Sequence, residues 1–329
     1  MSQRLVSSGF TGMLIAMAVS MTASSVAAQL AATTVADALA ASQETGRPLL
    51  AIASSPTCPP CLALKHTMAT SSLVQVELQR YVLLQMDSAS SEFTHFRQQF
   101  PADYQGVPMV YVIRADGTML YGRSGGMAEQ TLQRLLSAAT QRSGSPLSDG
   151  QRQHVERSMQ AARREVQSGQ ILSALQRVDS VARIPSYARS VNEARRLQQQ
   201  LTMSVRNELQ VLDEQIEQPD LTHSAAFQLA RFYVRSKDLP EVREDAGRLL
   251  VKYERHTPTR VAVLQGKELV RAHFEEQRDA CQQAITRYRR IVELDAASPT
   301  AKHAERRISE LIEKQRRKQA SAGHSKVQS

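Results

Sequence analysis

Ser54-Ser55-Pro56-Thr57-Cys58-Pro59-Pro60-Cys61-Leu62 holds two of the chain's three cysteines, spaced C-x-x-C between an apolar run and a helical pattern. A cysteine at a helix start and another one turn later lie on the same side, close enough for their sulfurs to bond. Cys58 is expected at the N-cap, where the positive end of the helix dipole lowers a thiol's pKa and favours the thiolate. Cys61, one turn in, is expected to be more buried and to act as the resolving thiol. A reversible redox pair is the reading; a permanent disulfide and half of a metal site are the alternatives. Zinc needs four ligands, and the sequence offers no second C-x-x-C and no His pair at ligand spacing.

Working outward, Leu49-Leu50-Ala51-Ile52-Ala53 reads as a buried strand that delivers the chain to the cysteines. Before it, Val35, Ala38, Leu39 and Ala41 mark a short helix over 34–45, closed by Gly46 and Pro48. After it, the pattern predicts a helix over 59–70 and a shorter one from Ser72 to Leu78. A second buried strand follows at 82–86, then a helix over 90–100. Met109–Ile113 and Thr118–Gly122 are strands joined by Arg114-Ala115-Asp116-Gly117, whose Asp-Gly is a hairpin signal. A helix over 128–140, with Leu132, Leu135 and Leu136 inward, ends this region.

This element order, with C-x-x-C after the first central strand and Val107-Pro108 just before the hairpin, resembles the thioredoxin superfamily. The runs Leu73–Leu78, Tyr81–Asp87 and Gly106–Pro108 resemble its exported thiol:disulfide interchange domains most. The resemblance covers roughly 34–139. It implies a cis peptide at Pro108 and a substrate main chain pairing with Val107, beside a catalytic pair Cys58 and Cys61. It implies no cofactor beyond the redox-active Cys58–Cys61 disulfide. Two positions depart from the family pattern: Thr57 stands where Trp is usual, and Ile52 where a buried proton-handling Asp is usual. Pro59 and Pro60 tune the motif too, because neither has a backbone N–H to turn toward a capping thiolate. A less stabilised thiolate favours the disulfide form, which places the couple at reducing or intermediate potential.

The 329 residues suffice for two domains, and 42% apolar content suffices for real cores. Arg4, the apolar run Phe10–Ala23 and Val26-Ala27-Ala28 read as a secretory signal, residues 1–28, with the mature chain expected to start at Gln29 and to be soluble in the periplasm or another extracytoplasmic space. Three cysteines in an exported chain do not make a disulfide scaffold.

Residues 29–140 are assigned to the α/β thioredoxin-like domain and 141–150, rich in Ser, Gly and Pro, to a linker. From there strand signals vanish. Residues 151–318 are expected to form an all-α helical domain, with helices near 151–168, 171–183, 187–217, 224–236, 241–256, 260–276, 279–294 and 299–317, and 319–329 a disordered tail. Two blocks resemble tetratricopeptide helix pairs. In the first, Ala226, Leu229, Ala230 and Tyr233 lead into Ala246, Leu249, Leu250 and Tyr253. In the second, Ala280, Ala284, Tyr288 and Ile291 lead into Ala301, Ala304 and Ile308. A plain helical bundle is the alternative. Cys281, among small residues, is expected to be a buried, inert thiol.

The charge sits in the second half: residues 29–145 carry 8 Lys+Arg against 8 Asp+Glu, and 146–329 carry 32 against 24. The signs are interleaved, as in Arg243-Glu244-Asp245, and there is no Trp, so solvated helix faces are read rather than a nucleic-acid surface. The functional expectation is an exported thiol-disulfide oxidoreductase leaning toward reduction. Its partners are protein thiols and disulfides, a membrane-bound electron donor, and a protein held by the helical domain. The alternative is a non-enzymatic interaction protein in which the cysteine pair is a structural or vestigial disulfide.

Overall fold

A computed structural model describes residues 30–325. The residues expected to form a secretory signal, 1–28, and the expected mature start, Gln29, lie outside the described residues. The N-terminal region is built around β2 (Leu49–Ser54), all six residues of which are buried. A strand covered on both faces needs apolar side chains on both, which explains its unbroken rather than alternating pattern. It lies between β3 (Val82–Asp87), parallel to it, and β4 (Met109–Ile113), antiparallel to it. β5 (Met119–Ser124) extends the sheet beyond β4, and β1 (Leu30–Ala32) closes the other edge against β3, giving the order β1-β3-β2-β4-β5. The three-residue β1 has no counterpart in the sequence reading; so short a stretch shows no period, and its pairing with Val82–Leu84 defines it.

Alternate residues of β2 serve two cores. Leu49, Ala51 and Ala53 pack toward α1 (Val35–Thr45) and α4 (Ser91–Gln99) through Ala38, Phe93 and Phe96. Leu50 and Ile52 pack on the other face against α2 (Pro59–Thr70), α3 (Ser72–Leu78) and α5 (Glu129–Arg142), through Leu64, Met68, Val74, Leu132 and Leu136. The result is a thioredoxin-like α/β layer structure with helices on both faces of the sheet.

The rest is helical: α6 (Asp149–Gln167), α7 (Ile171–Ala182), α8 (Arg189–Ile216), α9 (Thr222–Arg235), α10 (Pro240–Arg255), α11 (Thr257–Gln277), α12 (Cys281–Leu294) and α13 (Pro299–Ser325). Pro240, Pro258 and Pro299 fall in first turns, where no N–H is needed. Thus α11 starts three residues before the expected Arg260. Each helix packs on the next, and α9 also packs on α11. The two blocks read as helix pairs pass over α11, a 21-residue helix that links them by packing on both α9 and α12. Its Gly266 permits the close approach to α9. A Cβ there would stand 2.9 Å from the Ala226 carbonyl oxygen and 3.0 Å from the Phe227 nitrogen. Cys281 is buried at the start of α12. Of the residues expected to form a disordered tail, 319–325 continue α13, carried by good helix formers such as Ala320 and Ala322; 326–329 lie outside the described residues.

The linker narrows to 143–148, because α5 runs through Arg142 and Ser148 is already the N-cap of α6, its side chain and that of Gln151 forming a capping box. This joint is packed. Ser143 is fully buried and Leu147 belongs to the helical core. The Leu147 amide donates to the Thr45 carbonyl at 2.8 Å, and the Ser145 amide to that of Pro185 at 2.6 Å. Gly46, in the left-handed region at φ 75°, ends α1 so close to the array that a Cβ would lie 2.5 Å from Ser186 Oγ. From the hairpin, the Arg114 guanidinium stacks over the Tyr187 ring at 3.7 Å. Leu49 pairs with Ile113, so Gly46 and Arg114 sit at one end of the sheet. β2 then runs about 20 Å, at ~3.3 Å per residue, to the cysteines at its other end.

Candidate active site

The end of β2 sets the site. From Ser54, which accepts the Ser88 amide at 3.0 Å, the chain turns through Ser55-Pro56-Thr57 into α2. Cys58 is the N-cap, with extended backbone (φ −89°, ψ 111°), and Pro59 and Pro60 occupy the first two helical positions. Prolines fit there because the first N–H groups of a helix have no intrahelical acceptor. They also leave Cys61 to supply the capping hydrogen bond: its amide donates to Cys58 Sγ at 3.3 Å.

Cys58 and Cys61 are joined as a disulfide, with Cα atoms 5.2 Å apart. Cys61 is 1% exposed, whereas Cys58 is half-buried between the exposed Thr57 and Pro59. That difference leaves Cys58 as the sulfur that an incoming group can reach. Beneath the motif, Ile52 is buried among Leu50, Leu64, Met68 and Val110, so its position contributes packing and no proton-accepting group. His66 is exposed along α2, two turns past Cys58.

Sheet register brings the second segment in. Ala53 pairs with Met109, so Val107 and Pro108 continue β4 past the end of β2, next to the cysteine turn. The Val107–Pro108 peptide is cis, Pro108 is buried, and the Val107 carbonyl oxygen lies 3.5 Å from Cys58 Sγ. In the disulfide this is a contact without a proton; a reduced Cys58 thiol could donate to that oxygen. The Gly125 amide donates to the Pro108 carbonyl at 2.8 Å, and a Cβ on Gly126 would meet that of Pro60 at 3.4 Å. The structure therefore brings Cys58, Pro60, Cys61, Val107 and Pro108 together, with Thr57 on the rim. It adds the Gly125-Gly126 turn, to which sequence reasoning gave no role; its glycine pair between a strand and a helix was the available signal. Among the described residues, no group of three or more His, Cys, Asp and Glu is placed to hold a metal ion, and no helix is long and apolar enough to cross a membrane.

Chemically, the arrangement can accept nucleophilic attack at Cys58 in the disulfide form. In the dithiol form it can present Cys58 as nucleophile with Cys61 held beside it. The helical array docks at the far end of the sheet, through Gly46 and Arg114, and leaves this end uncovered.

Residues 30–115 match a protein family model described as thioredoxin-like, which covers less than half of the chain. Among solved structures, the chain is similar to a disulphide isomerase from Xylella fastidiosa Temecula1. The identity is 23%, with 32% of this chain and 87% of that chain covered and a TM-score of 0.29. No curated protein matches the chain.

Proposed function

We propose, from the thioredoxin-like character of residues 30–115, that the protein is an exported thiol-disulfide oxidoreductase that acts on protein substrates in the reducing direction. The observation that carries this reading is the asymmetry of the pair: a reachable N-cap Cys58 bonded to a Cys61 that is 1% exposed. In the cycle, the Cys58 thiolate attacks one sulfur of a substrate disulfide; the Cys58–substrate bond forms, the substrate S–S bond breaks, and one substrate thiolate leaves. The Cys61 thiolate then attacks Cys58 Sγ, closing the Cys58–Cys61 disulfide and releasing the second substrate thiolate. Two electrons pass from the dithiol to the substrate, and an external dithiol donor, proposed as membrane-bound, restores the reduced pair. Val107, whose carbonyl lies beside Cys58, is proposed to pair with the main chain of the bound substrate. The signal-like segment at 1–28 supports export to the periplasm or an equivalent space. The helical array, with its tetratricopeptide-like pattern of small and large residues, is proposed to hold a protein partner.

Ile52, in place of a carboxylate beneath the pair, favours a second reading, in which the disulfide is structural and the array alone does the work. Insulin reduction separates the two. Turnover above background that disappears in Cys58→Ser supports the oxidoreductase; equal background rates in both proteins defeat it.

A further inference from the structure

A groove runs between α9 and α11 on the helical array, with a cavity of about 620 Å³, in the range that accommodates several side chains. Its lining mixes polar side chains, His273 and Gln277 among them, with an apolar strip partly open to solvent: Phe227 is half-buried, Val234 is 48% exposed and Phe274 51%. Large side chains so exposed on neighbouring helices mark a contact surface more often than isolated ones do. The groove is also electrically one-sided. Arg231 and Arg235 stand on α9 one turn apart, both exposed. Among the described residues neither is ion-paired to a carboxylate; Arg235 reaches only Ser173 Oγ, at 3.3 Å. The acid that lines the groove, Glu276, is already engaged by the Arg307 guanidinium and the Tyr288 hydroxyl. This leaves two cations without a carboxylate partner beside an aromatic and aliphatic strip.

We infer that this groove docks an acidic peptide segment of a partner protein, its carboxylates on Arg231 and Arg235 and an apolar side chain against Phe227, Val234 and Phe274. Arginine suits the role because its planar fork binds a carboxylate through two parallel hydrogen bonds. The close approach of α9 and α11 at Gly266 fixes the two walls relative to one another before any ligand arrives, which lowers the ordering cost of binding. The inference rests on the partner-holding half of the proposed function and not on the redox half; loss of peptide binding leaves insulin reduction by Cys58 intact, and the reverse.

The test is an unbiased selection of random 12-residue displayed peptides on the full chain. Selected peptides are then titrated by fluorescence anisotropy against wild type, the Arg231→Glu/Arg235→Glu double variant, and Arg157→Glu on α6 as a remote charge control. Circular dichroism melts verify that all three fold. The expected result is an enriched set of net-acidic peptides containing Leu, Phe or Met. Their affinity should fall at least tenfold in the double variant, stay within twofold in Arg157→Glu, and weaken with salt. No enrichment, enrichment without acidic bias, or equal affinity for the double variant overturns the inference. So does Arg231-dependent and Arg235-dependent pelleting with phosphatidylglycerol vesicles in the absence of peptide selectivity, which would assign the groove to a lipid surface.

Discussion

The backbone N–H of Cys61 donates to Cys58 Sγ at 3.3 Å, and the two residues between them, both prolines, have no N–H to add. In an ordinary helix start, several amides can turn toward an N-cap acceptor. Here the motif itself supplies one.

Restoring a donor should therefore shift the chemistry. Pro60→Ala is expected to lower the pKa of Cys58 in the dithiol form by about one unit, equivalent to ~1.4 kcal/mol in favour of the thiolate. The couple should become more oxidising by roughly 30 mV. The rate of iodoacetamide alkylation against pH, together with equilibration in glutathione buffers, measures both. The wild-type potential is expected to lie well below about −120 mV. A wild-type value near that figure, or an unchanged Cys58 pKa in Pro60→Ala, contradicts the account.

The accessibility difference between the sulfurs gives a covalent test. Cys61→Ser should accumulate a mixed disulfide with an oxidised substrate protein, because no resolving thiol remains, whereas Cys58→Ser should accumulate none. Non-reducing electrophoresis after acid quenching reads the adduct. Adduct formation through Cys61 in the Cys58→Ser variant would reverse the assignment.

Gly266 offers a test of the array in which two effects compete. Alanine raises helix propensity by about 1 kcal/mol over glycine. Its Cβ, however, would stand 2.9 Å from the Ala226 carbonyl oxygen, and backbone cannot swing aside as a side chain can. Overpacking typically costs ~1–3 kcal/mol, so Gly266→Ala is expected to lower the urea midpoint followed by far-ultraviolet circular dichroism, with insulin reduction unchanged.

The array should also lose stability in acid. Burial disfavours ionisation of Glu276, but hydrogen bonds from Arg307 and Tyr288 outweigh it and hold its carboxyl below the usual range. A carboxylate with a depressed folded-state pKa contributes stability above its unfolded value of about 4.3 and loses it as pH falls through the folded value. The urea midpoint should therefore fall between about pH 5 and pH 3, and Glu276→Gln, already without that charge at neutral pH, should show a shallower fall. Parallel profiles for the two proteins would remove Glu276 from the explanation.

At the joint, Gly46→Ala places a side chain at φ 75° and 2.5 Å from Ser186 Oγ. The left-handed conformation alone costs ~1–2 kcal/mol for a residue with a Cβ. Undocking is the expected relief, seen as faster tryptic cleavage after Arg142 with the thiol reactivity of Cys58 retained. Unchanged cleavage would mean that the joint absorbs the substitution.

The sequence alone determined the parts whose physics is local. C-x-x-C before a helical pattern placed Cys58 at the N-cap, Asp116-Gly117 placed the hairpin, and the unbroken apolar run at 49–53 marked a strand buried on both faces. The helix periods of the second half likewise placed eight helices, with ends displaced by a few residues where Pro258 or Ser148 belongs to the helix start rather than to the gap. Only tertiary structure decided what depends on residues far apart. The three-residue β1 exists through its pairing with β3. The adjacency of Val107 to Cys58 follows from the register of β4 on β2, and the role of α11 follows from a glycine whose close contact is 40 residues earlier, at Ala226. The packed joint, which sets the array at the end of the sheet opposite the cysteines, reads in sequence as an ordinary Ser/Gly/Pro linker. Its order comes from Gly46, Arg114, Ser186 and Tyr187, which meet only when both domains have folded.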